Sequence, residues 1–278
     1  MNRKIIIALV FILGNLFLSC VCVEATSLPA AQYAASFTGS DGNGGFNQSA
    51  STSGTLTYSP PPSTAPISGT AFTSGYTANA SPNVSVMGSI GASAFSAVTL
   101  NGTATVTYDI TVIGTTGNSV PVYLTGSIGG SATTFQNTTP PIYSEMASSS
   151  ISIADNLSDL QSGIDVYSVA GSTSDSSPAP YQTTITLQPI TVTGGSPYVV
   201  QLLASINLNG TISPPSTTTV SGSAAADPVF TLDSTEIADG YSIEYSPGIT
   251  VPEPSNWALF LEGAGMLALL VKCKRIKG

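Results

Sequence analysis

The sequence predicts an all-β body, an antiparallel β-sandwich or jelly roll, set between an N-terminal signal helix and a C-terminal transmembrane helix. Three observations predict it: apolar residues repeat at a period of two through the middle of the chain, the uncharged residues there are mostly Ser, Thr, Gly and Asn, and an apolar run beside basic residues stands at each end. Of the 278 residues 42% are hydrophobic and only 8% charged. That combination excludes the usual disordered class and suits one well-buried domain with many short connections.

Residues 1–25 carry the three parts of a secretory signal: basic Arg3 and Lys4, an apolar run from Ile5 to Leu18, and a small-residue exit ending at Val23, Glu24 and Ala25 before Thr26. A secretion translocon and a signal peptidase are the partners this implies. Phe17 to Cys20 is close to a lipoprotein cleavage site, but Phe17 stands where a small aliphatic residue is expected.

The body, residues 26–250, holds the strands. Val106, Tyr108, Ile110 and Val112 alternate with Thr107, Asp109 and Thr111, and Tyr198, Val200, Leu202, Ala204, Ile206 and Leu208 keep one parity over eleven residues. Shorter candidates are residues 54–59, 120–125, 164–169 and 241–245. Between Ile185 and Val192 the apolar parity switches at Gln188 and Pro189, which predicts a bulge or bend. Met146 to Leu160 comes nearest to a helix, but its Ser run with Asp155 and Asp159 reads as loop. No fixed-period repeat is found, which counts against a solenoid.

All six basic residues lie at the extremities, so the body holds 12 carboxylates and no cationic side chain, and the chain has no His. Salt bridges within the body are impossible. Nucleic-acid partners are disfavoured, because their recognition rests on Lys and Arg neutralising phosphates. Crowded carboxylates should titrate higher in the folded state than in the unfolded one, so stability should rise as pH falls through their range. Cys20 and Cys22 lie in the leader and Cys273 in the tail, which leaves no thiol or disulfide in the body.

Without His, Cys or Lys the body cannot build a Ser-His-Asp triad, a Cys-His pair, a Schiff base or a His-ligated zinc site. Carboxylates alone could act as acid and base. Asp155, Asp159 and Asp165, or Asp233, Glu236, Asp239 and Glu244, read better as solvated loop charges than as a glycosidase pair, and no enzymatic activity is expected. Calcium is the one cofactor the composition admits, with weak candidates at Asp41 and Asn43 and at Asp233, Glu236 and Asp239. Asp41 opens a segment unlike an EF-hand, since Gly45 takes the fifth position and Thr52 the place of the bidentate Glu. The sequons at Asn47, Asn83, Asn101, Asn137, Asn156 and Asn209 carry only a preference for loops.

The last 28 residues, 251–278, have three parts in order. Pro252, Glu253 and Pro254 come first, then an apolar stretch at residues 257–271 containing Trp257, Leu259, Phe260, Leu267, Leu269 and Leu270, then the basic group Lys272, Lys274, Arg275 and Lys277. This segment resembles the PEP-CTERM sorting signal. The resemblance implies a helix held in the inner membrane, processing near Pro252 to Pro254 by an exosortase-type enzyme, and release or attachment at the cell surface, commonly in exopolysaccharide or biofilm matrix.

Elementary chemistry agrees with each part. Two prolines within three residues favour an extended, accessible stretch. Fifteen residues span about 22 Å as a helix against a hydrocarbon core of about 30 Å, and Glu262 near the centre costs on the order of 3 kcal/mol. The helix is a marginal anchor. The basic groups at both ends would stay on the cytoplasmic side while the body crosses. Residues 227–233 and 241–248 resemble the segment preceding the signal in such proteins and are read as closing strands. The expected role is structural or adhesive, with a carbohydrate- or calcium-binding module as the alternative, signalled by exposed Tyr residues beside polar loops.

Overall fold

In this computed structural model, structure is described for residues 27–40, 44–58, 67–74, 83–92, 96–136, 142–163, 165–174, 180–212 and 218–249. The strands are β1 (Gln32–Ser40), β2 (Gly45–Ala50), β3 (Gly54–Tyr58), β4 (Ile67–Ser74), β5 (Asn83–Ala92), β6 (Ser96–Ile113) and β7 (Ser119–Gln136), then β8 (Ile142–Ala154), β9 (Tyr167–Ser174), β10 (Tyr181–Thr193), β11 (Pro197–Ile212), β12 (Thr218–Thr231) and β13 (Ser242–Tyr245). Two short helices, α1 (Leu157–Ser162) and α2 (Ser234–Ala238), complete the described elements.

Every pairing is antiparallel. One sheet runs β2-β1-β6-β11-β8-β9 and the other β10-β7-β12-β5-β4-β3. β13 lies on the same edge of β6 as β1, pairing with Ile110 to Ile113 where β1 has already ended at Thr107. Counted from β5 to β12 as 1 to 8, the central strands follow the orders 2-7-4-5 and 6-3-8-1. All but one of these connections pass from one sheet to the other.

The two sheets share one core because each strand alternates. Val106, Tyr108, Ile110 and Val112 of β6 and Val200, Leu202, Ala204, Ile206 and Leu208 of β11 are buried, as the period of two predicts, and face Val122, Leu124 and Ile128 of β7 and Val220, Ala224 and Phe230 of β12. The outer faces carry hydroxyls that bond sideways. Ser36 pairs with Thr103 at 2.8 Å and Ser148 with Ser205 at 2.7 Å, satisfying polar groups without any ion.

The parity switch in β10 is a bulge, two residues earlier than the sequence places it. Ile185 pairs with Gly126 and Gln188 with Leu124, so Thr186 and Leu187 together oppose Thr125. Leu187 has φ 40 and is 60% exposed. The inserted residue moves the buried set from odd to even positions, and Ile190 and Val192 therefore point inward with Ile185.

An aromatic ring closes each flank over glycines. Phe37 lies opposite its register partner Gly102, and a Cβ on Gly102 or on Gly69 of the facing sheet would approach Phe37 Cε1 to 2.5 or 2.6 Å. Tyr181 repeats the pattern at the other flank. Its partner is Gly130, its ring also covers Gly171 of the facing sheet, and its hydroxyl lies 2.8 Å from that of Ser149. Each ring fills the space that two absent side chains leave.

Several expectations need correction. Met146 to Leu160 is no loop: residues up to Ala154 belong to β8, with Ala147, Ser149, Ile151 and Ile153 buried, and α1 follows. Serine suits the strand because the neighbouring strands supply hydroxyl partners, among them Ser168 at 3.2 Å from Ser152. The strand expected at residues 164–169 begins at Tyr167 and runs to Ser174. Asn47, Asn83, Asn101 and Asn209 sit in strands, not loops, and Asn156 caps α1. The leader, Asp41, Asn43 and the sorting segment from Pro252 to Lys277 lie outside the described residues. Among the described residues no helix is long and apolar enough to cross a membrane.

Candidate functional site

Strand direction sorts the chain into two ends. β1 starts, β6 ends, β7 starts and β8 ends at one of them, where α1, α2 and β13 also lie. Asp159 lies in α1 with Asp155 and Asp165 on either side, Glu236 lies in α2 between Asp233 and Asp239, and Asp109, Asp227 and Glu244 stand on the adjoining strand segments. Nine of the 12 body carboxylates therefore gather toward one end, with no cation among them. Only the fold brings them together.

Several of these acids hold backbone. Asn156 Oδ1 accepts from the Asp159 amide at 3.0 Å while its Nδ2 donates to Asp159 Oδ2 at 2.6 Å, a reciprocal cap on α1. Asp233 Oδ1 accepts from the amides of Thr235 at 2.6 Å and Glu236 at 3.1 Å and so caps α2. A hydrogen bond between the two side chains holds the Asp233 carboxyl below its usual range, and the same bond pushes the Glu236 carboxyl up. Asp239 follows α2 as its C-cap through backbone contacts. Among the described residues no group of three or more acids is placed to hold a metal ion.

Asp109 sits half-buried on β6, and desolvation pushes its carboxyl up. A raised folded pKa means that the native state binds the proton more readily. The penalty is present at neutral pH and is relieved as pH falls through the raised value toward the ordinary 3.8. Asp233 works in the opposite sense, losing its contribution as pH falls through its lowered value. The melting temperature is expected to rise as pH falls from 7 to about 5, and Asp109→Asn to raise it at pH 7 by about 1 to 3 °C while flattening the profile. Calorimetry across that range checks both, and a steady fall contradicts them.

The same end joins the two termini of the body. The Ala31 amide donates to the Pro247 carbonyl at 3.0 Å, and Tyr33 Oη donates to the Gly248 carbonyl at 2.9 Å. Ser246 and Asp109 exchange two bonds, the Asp109 amide to Ser246 Oγ at 2.7 Å and the Ser246 amide to the Asp109 carbonyl at 2.9 Å. Ser246 and Ile249 are buried. Tyr245 stacks on Tyr108 at 6.4 Å and donates its hydroxyl to the Phe230 carbonyl of the second sheet at 3.3 Å. Burial pushes both phenols up. Residues 242–249 are thus part of the fold and not a loose linker.

Two depressions mark the surface. One, of about 390 Å³, lies on the outer face of the second sheet and is lined by Thr70, Met87, Ser89, Ser131, Ser221 and Ser223. The other, of about 280 Å³, lies at the acidic end between Pro29, Gln32, Asp109, Asp155 and Pro197. Among the described residues that line them none presents an exposed aromatic face for sugar stacking, since Tyr108 beside the second is buried. Tyr33, Tyr167, Tyr241 and Tyr245 pack against the core instead. Sequence reasoning missed Glu145, which is buried at 3% exposure on the inner face of β8; its parity with Ala147 and Ile151 was the available signal.

No family model matches the chain, and no curated protein matches it. Among solved structures, a chain titled "Structure of infectious bursal disease virus Gx strain" is similar at 11% identity with a TM-score of 0.13, over 84% of this chain and 74% of that chain. A likeness at that score carries no argument about fold or function.

Proposed function

We propose that the chain is an exported, non-catalytic protein of the cell surface or extracellular matrix, sorted through its C-terminal segment by an exosortase-type membrane enzyme. Its body is a jelly roll formed by β5 to β12 and widened by β1 to β4, and it serves a structural or adhesive role in exopolysaccharide or biofilm matrix. The observation that carries this reading is the order of residues 252–277: Pro-Glu-Pro, a short apolar stretch and a basic cluster, closing a body that has no cation of its own. The strand orders 2-7-4-5 and 6-3-8-1 support the jelly roll, because they wind two Greek keys into facing sheets. Uncharged hydroxyl faces support a neutral polysaccharide as the partner, since they offer donors and acceptors without attracting or repelling counterions.

Terminal mass spectrometry of the secreted form tests the reading. Trypsin has no site between Lys4 and Lys272, so a Glu-directed protease is needed. The mature chain is expected to begin near Thr26 and to lack Lys272 to Lys277; retention of that basic cluster contradicts the proposal.

A further inference from the structure

We propose that β9 is an assembly edge: two copies of this chain pair their β9 strands antiparallel, about a two-fold axis at Ala170, and so continue the first sheet from one molecule into the next. The inference rests on the edge of the first sheet and is independent of the sorting reading.

An edge strand turns alternate N–H and C=O groups outward, and proteins ordinarily blunt such edges with short strands, bulges, proline or charge. Three of the four end strands here are blunted. β2 and β3 have only six and five residues, and β10 carries both the bulge at Leu187 and Pro189. β9 has eight residues, pairs with β8 without a register shift, and contains neither proline nor a charged side chain. Among the described residues no backbone hydrogen bond reaches its outer side.

What this edge leaves uncovered fits a second copy of itself. Ala147, Ile151 and Ile153 of β8 are buried, whereas Tyr167 and Val169 on the same face of β9 are only half-buried and Val166 just before the strand is 42% exposed. Antiparallel pairing centred on Ala170 keeps core-side residues with core-side residues. It sets Val169 opposite Gly171 of the second copy, where the Tyr181 ring covers the glycine, so apolar surface is covered on both sides. On the outer face it sets exposed Ser168 opposite exposed Ser172. The hydroxyl pairing already made by Ser148 with Ser205 and by Ser152 with Ser168 then extends across the boundary.

Charge chooses the direction. Tyr167 pairs with Ile153 toward the acidic end and Ser174 with Met146 away from it. A parallel pair would bring two acidic ends together with no cation to offset them, whereas the antiparallel pair sets them at opposite ends of the dimer. One short edge buries little area, so the association is weak and depends on concentration.

The test uses the full chain in mild detergent, with Cys20, Cys22 and Cys273 changed to Ser and one new cysteine introduced at a time. A thiol reagent that bridges about 5 Å is expected to join Ala170→Cys to itself, because directly opposed Cβ atoms lie about that far apart. Ser168→Cys or Ser172→Cys alone should stay unjoined, each being about 13 Å or more from its own counterpart, while a mixture of the two should be joined. Thr184→Cys, exposed on the β10 edge, is the control. Association through the apolar ends would join all these positions alike. Adding Ala170→Asp to the mixture should lower the joined yield about fivefold, since like charges then stand directly opposite, and Thr184→Asp should leave it unchanged. Joining on β9 no greater than at Thr184→Cys, or a yield that Ala170→Asp does not lower, overturns the proposal. Ala170→Cys joined only to Ser49→Cys on β2 of another copy overturns the two-fold pairing in favour of a head-to-tail array.

Discussion

Phe37→Ala is expected to destabilise the body by about 3 to 5 kcal/mol, the range for emptying a fully buried aromatic site. The ring is 0% exposed and packs between the sheets over Gly69 and Gly102. Neither neighbour has a side chain that could move into the gap, so the site relaxes poorly and the loss should fall toward the upper end. A domain of this kind has about 5 to 15 kcal/mol in all, so the variant stands close to unfolding at physiological temperature. The reverse change distinguishes packing from simple hydrophobicity: Gly102→Ala adds an apolar methyl yet should cost about 1 to 3 kcal/mol, because its Cβ meets the ring and Val86 at under 3 Å. Combining Gly102→Ala with Phe37→Leu should recover part of that loss, giving non-additive free energies in a denaturant cycle. Strict additivity would show that the ring and the glycines do not share one space.

Deleting Leu187 is expected to cost far less, within about 1 kcal/mol, because it removes the extra residue of the bulge. A one-to-one register with β7 keeps Ile190 opposite Val122 and Val192 opposite Val120, so both stay on the buried face with Ile185. Substitution at the same position should add stability. Leu187 holds a left-handed φ that L residues with large side chains adopt at a cost, so Leu187→Asn should stabilise by about 0.5 to 1 kcal/mol. Chemical denaturation of the two variants checks both, and a deletion variant destabilised by about 3 kcal/mol or more would mean that β10 does not keep its register with β7 once the bulge is gone.

The strands with strong apolar alternation were legible in the chain because burial on one face writes a period of two. Val106 to Val112 and Tyr198 to Leu208 are the two longest such runs, and both occupy the centre of the first sheet. β8 was not legible. Its inward residues include Ala147 and Ser149, too small and too polar to stand out, and its hydroxyls become strand-compatible only when Ser205 and Ser168 lie beside them. The bulge was visible as a parity change, but its position depends on which residue of β7 is skipped, and that is a property of the pair. The acids were misread as loop charges for a similar reason. Asp159 accepts from the side-chain amide of Asn156 and Asp233 from the backbone amides of Thr235 and Glu236, local functions that composition does not distinguish from solvation.

The order of residues alone determined the chemistry this protein lacks: a body without Lys, Arg, His or Cys cannot make ion pairs, disulfides or the common nucleophilic sites, whatever its fold. It also determined the alternation that makes the body β. Tertiary structure decided which residues became neighbours. Ala31 meets Pro247 across more than 200 residues, and carboxylates from five separate segments converge on that end. The physical reason is that hydrophobic periodicity is a local signal, whereas strand order and the direction in which each strand runs follow from closing one core between two sheets.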